Sequence, residues 1–229
     1  PERVRLTPAP LATFAGSGQE QWRRQFKINS QWQGRLYLHI VSGKHGDPPD
    51  VRRTPAPSGG WDYRAILPQE ISGRTLTQVM VNLLLREFGG RYAREESTPP
   101  PWATAGTAEL ILQAIGPILF VPFHTNGGGG INYIHPQDPL HPSRKIIQDS
   151  PNVSFINMSL PPPDLTQGTK VANYRAYSHL LVYKLLGEDK GAKRMQFFLR
   201  ELPKHKNTTA AFRAAFGHET MLKAEQWWT

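Results

Sequence analysis

The chain of 229 residues contains no cysteine, which excludes a disulfide framework and any metal site built on cysteine thiolates. No apolar run reaches the roughly eighteen residues that a membrane-spanning helix requires. The lack of cysteine leaves the compartment open, because cytosolic and exported proteins can both lack it. The sequence begins at Pro1 rather than at methionine, so we expect export to the periplasm or the cell exterior, with a cytoplasmic location as the alternative.

Acidic residues are too few to balance the basic ones, since 27 Lys and Arg against 18 Asp and Glu leave a net charge of +9. Such an excess suits an anionic polymer as partner. The basic residues are spread along the chain, however, and the sequence has no specific nucleic-acid motif. The nearest approach to a basic patch is the segment 21–27, where Arg23 and Arg24 lie between Trp22 and Phe26. This mixture can hold a single strand, but we favour a solvated edge with both rings turned into the core.

Residues 1–72 have the composition of strands and loops. Apolar residues alternate with polar or aromatic ones over 34–43, which predicts a strand that ends at a glycine. Residues 61–68 predict a second strand, stopped by a proline. The segment 43–60 between them is rich in glycine and proline, and we predict turns and loops throughout it.

Residues 73–229 are predicted to be mainly helical and to continue the same domain. Apolar residues recur at three- and four-residue steps in five segments, 73–90, 101–116, 173–188, 191–202 and 208–217. The segment 124–145, with four consecutive glycines, predicts a long connection. We expect the terminal pair Trp227 and Trp228 to dock on the fold. The predicted class is α+β, with a small N-terminal β-sheet followed by a mainly helical domain.

The helix predicted over 73–90 carries two polar residues beside its apolar face. Leu76 and Leu83 belong to the face that we expect to be buried. Gln78 and Asn82 lie four residues apart, which is the spacing that places two zinc-binding histidines on one helix in metallopeptidases. Either this is an ordinary amphipathic helix with two polar residues, or it is a zinc-binding helix that has lost its ligands.

Four short sequence motifs in the second part of the chain favour a zinc-binding helix that has lost its ligands. They occur in the order PWATAGTAEL (101–110), YRAYSHLLVYKLL (174–186), FFLREL (197–202) and AAFRAAFG (210–217). Their order and content resemble the gluzincin-type zinc metallopeptidases, or peptidase MA-like group, over about residues 60–229. In that family one helix carries HExxH. The next helix begins with Trp-x-x-Glu-Gly-x-Ala-Glu, whose first glutamate is the third zinc ligand.

The resemblance assigns a position in this chain to each catalytic residue of the family. Gln78 and Asn82 stand where the two histidines would be, Val79 where the catalytic glutamate would be, and Ala105 where the third ligand would be. The residues that shape the second helix are retained, and they are Trp102, Gly106, Ala108 and Glu109. The resemblance therefore implies a gluzincin-like fold without its zinc ligands. It also requires Gln78, Asn82 and Ala105 to meet across two adjacent helices.

The chemistry of these replacements argues against catalysis. Zinc binds neutral imidazole and carboxylate groups, and uncharged carboxamide oxygens are weak donors by comparison. Val79 cannot accept a proton from water, so the general base is also missing. We therefore predict no peptidase activity, no metal and no cofactor. The expected function is that of a binding, scaffold or structural subunit whose partner is another protein or a second copy of the chain.

Other residues are candidates for contact or for chemistry of a different kind. Trp227 and Trp228, with Trp22, Arg23 and Arg24, are a candidate interface. An alternative function is a metal-dependent hydrolase with a rebuilt site, formed by His124, His135, His141 and Asp138. A second alternative is a polyanion-binding protein, for which the charge of +9 is the basis. His179 lies among leucines on a predicted helix, where we expect a structural histidine.

Overall fold

Two small β-sheets form the N-terminal part of the fold, and helices form most of the remainder. The computed structural model describes residues 3–30, 32–42, 49–57, 60–91, 93, 95, 97–115, 138–166, 168–205 and 207–227. The α+β class predicted from the sequence is thus confirmed, with small N-terminal sheets followed by a mainly helical region.

The strands pair in two separate sheets. They are β1 (Arg3–Arg5), β2 (Leu36–Val41), β3 (Asp50–Pro55), β4 (Trp61–Pro68) and β5 (Glu70–Ser72). β4 is the central strand of the larger sheet, with β2 parallel on one side and β3 antiparallel on the other. β1 and β5 form a short antiparallel pair. The strands predicted over 34–43 and 61–68 are both present, as β2 and β4.

A helix that the sequence did not predict precedes the larger sheet. The prediction of only strands and loops over residues 1–72 was wrong at α1 (Pro8–Gln25), which begins at a proline and buries Leu11, Phe14 and Trp22 at helical spacing. Two prolines and two glycines in this segment interrupt the helical spacing of its apolar residues, so the sequence did not indicate a helix. The basic residues of the segment 21–27 therefore lie on a helix and its C-terminal turn, with both aromatic rings buried.

The segment 43–60 also contains structure where we predicted loops throughout. β3 crosses it, pairing with β4 from Asp50 opposite Ile66 to Pro55 opposite Trp61. Most residues of β3 are polar. A strand at the edge of a sheet tolerates polar residues because it is paired on one side only and is open to water. Pro55 stands at the end of the strand, where the missing N–H costs least.

The helical part begins directly after β5. Its helices are α2 (Gly73–Gly90), α3 (Pro101–Ile115), α4 (His141–Gln148), α5 (Phe155–Ser159), α6 (Pro163–Thr166), α7 (Val171–Gly187), α8 (Gly191–Glu201), α9 (Thr208–Phe216) and α10 (His218–Gln226). The five predicted helices are all present, with ends shifted by no more than two residues. The predicted connection 124–145 lies largely outside the described residues, but its last residues belong to α4 rather than to a loop.

The buried apolar residues form two clusters, one beside the sheet and α1 and one among the later helices, and α2 contributes to both. Ser72 caps its N-terminus, with the side-chain oxygen accepting from the Thr75 N–H at 3.0 Å. One face of α2 packs with the sheet and α1, through residues such as Leu76 and Met80. Another face packs with α3 and α8, through residues such as Leu85 and Phe88. Because both faces are covered, the few half-buried residues of α2 mark the edge along which a ligand can approach.

α3 and α7 cross at very close range. Gly106 lies at the crossing, where an added Cβ atom would stand 2.1 Å from the Ser178 carbonyl oxygen and 2.6 Å from Val182 Cγ2. Trp102, one turn earlier on α3, is fully buried and stacks on Phe198 at 5.5 Å between ring centroids. The absence of a side chain at Gly106 and the large ring at Trp102 fix α3 against its neighbours.

Among the residues that the structure describes, no helix combines the length and the apolar character that crossing a membrane demands.

Candidate functional site

Three helices converge on a cavity of about 310 Å³. We call it the α2–α3–α7 cleft. Its lining residues are Gln78, Asn82, Pro99, Pro101, Thr104, Ala105, Thr166, Val171, Tyr174 and Arg175. The volume lies at the lower end of the roughly 300–1,000 Å³ typical of ligand sites. The structure thus brings Gln78, Asn82 and Ala105 to one place, as the resemblance to gluzincin-type peptidases requires.

Local structure explains why these side chains face the cleft. Gln78 and Asn82 are separated by one helical turn and are half-buried, whereas their neighbours on α2 are buried in the core. Asn82 Nδ2 lies 3.5 Å from Thr104 Oγ1, a long contact that links α2 to α3 beside Ala105. Tyr174 donates its hydroxyl proton to the Met158 carbonyl at 2.7 Å, so the ring forms a fixed wall. The cleft therefore has amide and hydroxyl groups on its surface.

Val79 takes a different position from Gln78, Asn82 and Ala105. It is 9% exposed and packs with Leu76 and Met80 in the cluster that faces the sheet. It is not one of the described residues that line the cleft. Val79 thus contributes to the core, and its apolar side chain can take no part in proton transfer.

Four buried or largely buried residues of α3 support the cleft from behind. Trp102, Gly106 and Ala108 are buried and hold α3 against α7 and α8. Glu109 stands one turn after Ala105 and is also largely buried, with 14% of its side chain exposed. These residues position the helix that carries Thr104 and Ala105.

An ion pair lies just beyond the cleft. Arg74 Nε approaches Glu109 Oε1 to 3.0 Å without the alignment of a hydrogen bond, and Arg74 Nη2 donates to Oε2 at 3.5 Å. Burial raises the pKa of the Glu109 carboxyl group, and the nearby guanidinium groups of Arg74 and Arg175 partly offset that rise. This end of the cleft therefore has two guanidinium groups around one carboxylate.

The donor atoms of the cleft do not fit a zinc ion. Zinc is bound by imidazole, thiolate or carboxylate groups, whereas the described lining of the cleft has carboxamides, the hydroxyls of two threonines and a tyrosine, and the guanidinium of Arg175. A guanidinium facing the cavity would repel a cation, and the nearby carboxylate of Glu109 is already held by Arg74. We therefore derive no metal-dependent step at this site.

The candidate interface is only partly accessible. Trp22 was wrongly assigned to it, because the ring is fully buried on α1, with its centroid 5.8 Å from that of Phe88. Arg24 is exposed, and Arg23 is half-buried with Nε donating to the Ile28 carbonyl. Trp227 packs partly buried against the main core, as we expected. Trp228 lies outside the described residues.

The residues of the alternative metal site fall in two groups. His124 and His135 lie outside the described residues. Asp138 is engaged on both oxygens, accepting from the Leu140 N–H at 2.9 Å and from Arg144 at 2.5 Å. His141 is exposed at the start of α4. Within the described part of the chain, no group of three or more His, Asp or Glu side chains is placed to hold a metal ion.

His179 forms a buried pair that the sequence did not predict. Its Nδ1 lies 2.8 Å from Ser143 Oγ, which joins α7 to α4. Burial lowers the pKa of His179 to about 4, so the ring is neutral near pH 7. Both side chains are closed off from solvent, and Nε2 has no hydrogen-bond partner among the described residues. The pair is structural, as expected for His179, because no substrate can reach it.

The buried His179 makes stability depend on pH. In the unfolded chain His179 is exposed and has a pKa of about 6.5, so it is protonated below that pH. In the folded chain its pKa is about 4, so it stays neutral until the pH is near 4. Stability should therefore fall as the pH drops from about 6.5 to about 4, by up to roughly 3 kcal/mol from this residue. Denaturant unfolding across this range should show a smaller fall in His179→Gln than in the wild type. His218→Gln is the control because His218 is exposed, and equal falls in all three proteins would contradict the assignment.

Comparisons with protein-family models, curated proteins and solved structures found no match to this chain.

Proposed function

We propose that the chain is a non-catalytic binding module with a gluzincin-like fold, and that the α2–α3–α7 cleft holds a peptide segment of another protein. The observation that carries this proposal is the convergence of Gln78, Asn82 and Ala105 on one cavity. These are the three positions that the resemblance assigns to zinc ligands. In this chain they present amide and methyl groups instead.

The chemistry of the cleft suits a peptide. A carboxamide side chain both donates and accepts hydrogen bonds, which matches the N–H and C=O groups of a peptide backbone. Gln78 makes no hydrogen bond with a described residue, so its amide is available to a ligand. Pro101, Ala105 and Val171 supply apolar surface beside these polar groups. A few placed polar groups in an apolar wall are typical of a ligand site.

A blocked cleft tests the proposal. Pools of short random peptides are displayed and selected on the wild-type protein in the presence of a chelator. We expect the selected peptides to lose at least about tenfold in affinity for Ala105→Trp and for Gln78→Trp, because an indole would fill the cavity. The two variants approach the cavity from different helices, so a folding defect in one leaves the other to decide. Unfolding curves establish which variants are folded.

Ala214→Trp is the matched control. Ala214 is exposed on α9, away from the cleft, and the same residue is introduced there. The selected peptides should bind this variant as they bind the wild type. Undiminished binding to both folded cleft variants would show that the peptides bind elsewhere and would contradict the proposal.

A further inference from the structure

The α2–α3–α7 cleft has a charged end and an uncharged end. Arg74, Gln78 and Asn82 follow one another at four-residue steps along α2, so they form one row on the helix surface. Ala105 and Glu109 form a second row on α3, one turn apart, and Glu109 lies opposite Arg74. Gln78, Asn82 and Ala105, which are the uncharged members of the two rows, line the cavity. The ion pair of Arg74 and Glu109 lies at the end of both rows, beyond Gln78.

The charges at this end do not balance. Arg74 is paired with Glu109 at 3.0 Å. Arg175, which lines the cavity from α7, makes no hydrogen bond and no ion pair within 4.0 Å with a described residue. It is close enough for the charges of Arg74 and Glu109 to act on it. Two guanidinium groups thus stand near one carboxylate, and that of Arg175, which has no ion-pair partner among the described residues, faces the cavity.

The surroundings of Arg175 disfavour its charge. Burial lowers the pKa of its guanidinium, and the positive charge of Arg74 lowers it further, whereas Glu109 acts in the opposite direction. Arginine nevertheless stays charged in proteins. A second anion placed against Arg175 would relieve this repulsion, so the cavity favours a negatively charged ligand group over a neutral one.

We propose, as an extension of the proposed function and dependent on it, that Arg175 receives a carboxylate group of the bound peptide. A guanidinium offers two parallel N–H groups to a carboxylate, and such pairs are among the stronger hydrogen-bonded contacts in proteins. Gln78 and Asn82 then lie where they can bond to the peptide unit next to that carboxylate. The ligand carboxylate is either the C-terminus of the peptide or an Asp or Glu side chain.

A single negative charge suits the site better than a double one. The charges of Arg74, Arg175 and Glu109 sum to one positive charge. Glu109 is near enough to repel a second negative charge on the ligand. Inorganic phosphate, mostly dianionic above about pH 7, should therefore compete poorly with a carboxylate.

Three labelled peptide pools separate the sources of the carboxylate. One pool of short random peptides without Asp or Glu has free C-termini, the second is the same pool with amidated C-termini, and the third is amidated with one Asp per peptide. Fluorescence polarisation measures binding to the wild type, with inorganic phosphate as competitor. We expect the free-acid pool or the Asp pool, or both, to bind at least about tenfold more tightly than the amidated pool. The stronger of the two identifies the source.

Arginine variants locate the effect. Arg175→Gln should remove the preference for the carboxylate pools, and Arg175→Lys should restore part of it, because lysine keeps the charge but loses the two parallel N–H groups. Arg213→Gln is the control, since it removes the same charge from an exposed position on α9 and should leave the preference intact. A preference that persists in Arg175→Gln would overturn the assignment to this residue.

The remaining outcomes distinguish the two proposals. Equal binding of all three pools to the wild type, lost in Gln78→Trp, would overturn the carboxylate inference and leave the peptide-binding function standing. No binding of any pool would overturn both. Strong competition by inorganic phosphate would show a general anion site and would overturn the restriction to carboxylates.

Discussion

A triple variant with Gln78→His, Asn82→His and Ala105→Glu is expected to bind one zinc ion per chain, and the wild type is expected to bind none at this site. The substitutions place two imidazoles one turn apart on α2 and a carboxylate on the facing helix α3, all lining one cavity. Complete zinc ligand sets contribute roughly 10 kcal/mol or more. The positive charge of Arg175 repels zinc and reduces this free energy of binding. We still expect the triple variant to bind zinc with a dissociation constant of about 1 μM or lower.

Native mass spectrometry after dialysis against zinc and then against metal-free buffer measures this gain. Ala105→Glu alone is the matched control, because it adds the carboxylate without the imidazoles and should hold no zinc. Val79 is left unchanged, since the readout is binding rather than hydrolysis. A folded triple variant that retains no zinc would mean that the three positions do not share a coordination geometry, and the gluzincin-like interpretation of the cleft would then be wrong.

Gly106→Ala is expected to destabilise the protein by about 1–3 kcal/mol, although alanine is normally the better helix former. The new methyl group would stand 2.1 Å from the Ser178 carbonyl oxygen, which is backbone and cannot rotate away. α3 and α7 must therefore move apart, and that movement also widens the cleft. Denaturant unfolding monitored by circular dichroism gives the change in the free energy of unfolding.

Gly16→Ala is the matched control for that substitution. Gly16 lies within α1, and no heavy atom of another part of the fold stands within 4 Å of where its Cβ would be. The same change should there be neutral or stabilising by up to about 1 kcal/mol. Similar effects at both positions would contradict the close crossing of α3 and α7.

The sequence predicted best those elements whose apolar period is uninterrupted. α2 carries recurring apolar residues after a recognisable cap at Ser72, and α7 is apolar over most of its length, so the positions and limits of both helices were close to those observed. α1 was missed because its prolines and glycines interrupt the period, and only tertiary packing of Phe14 and Trp22 shows the buried face. β3 was missed because an edge strand with a single valine has little apolar alternation to detect.

The cleft was only half predictable. Gln78, Asn82 and Ala105 were identified because a known motif spacing passes through them, and no feature of composition or periodicity distinguishes them from other half-buried residues. Arg175 was missed, since its importance depends on Arg74 and Glu109, which come from two other helices. The buried pair of Ser143 and His179 was missed for the same reason. Contacts between helices distant in the chain leave no local pattern.

The most direct test of a cleft that binds without cleaving is the fate of a bound peptide. A peptide selected on the wild-type protein is incubated with it for a long period in the presence of zinc, and the mixture is examined by mass spectrometry. We predict that the peptide is recovered intact and bound at one copy per chain, because the described residues that line the cleft include neither a zinc ligand of the usual kinds nor a general base. Recovery of defined fragments that disappear in Gln78→Trp would show catalysis at this site and would contradict the account.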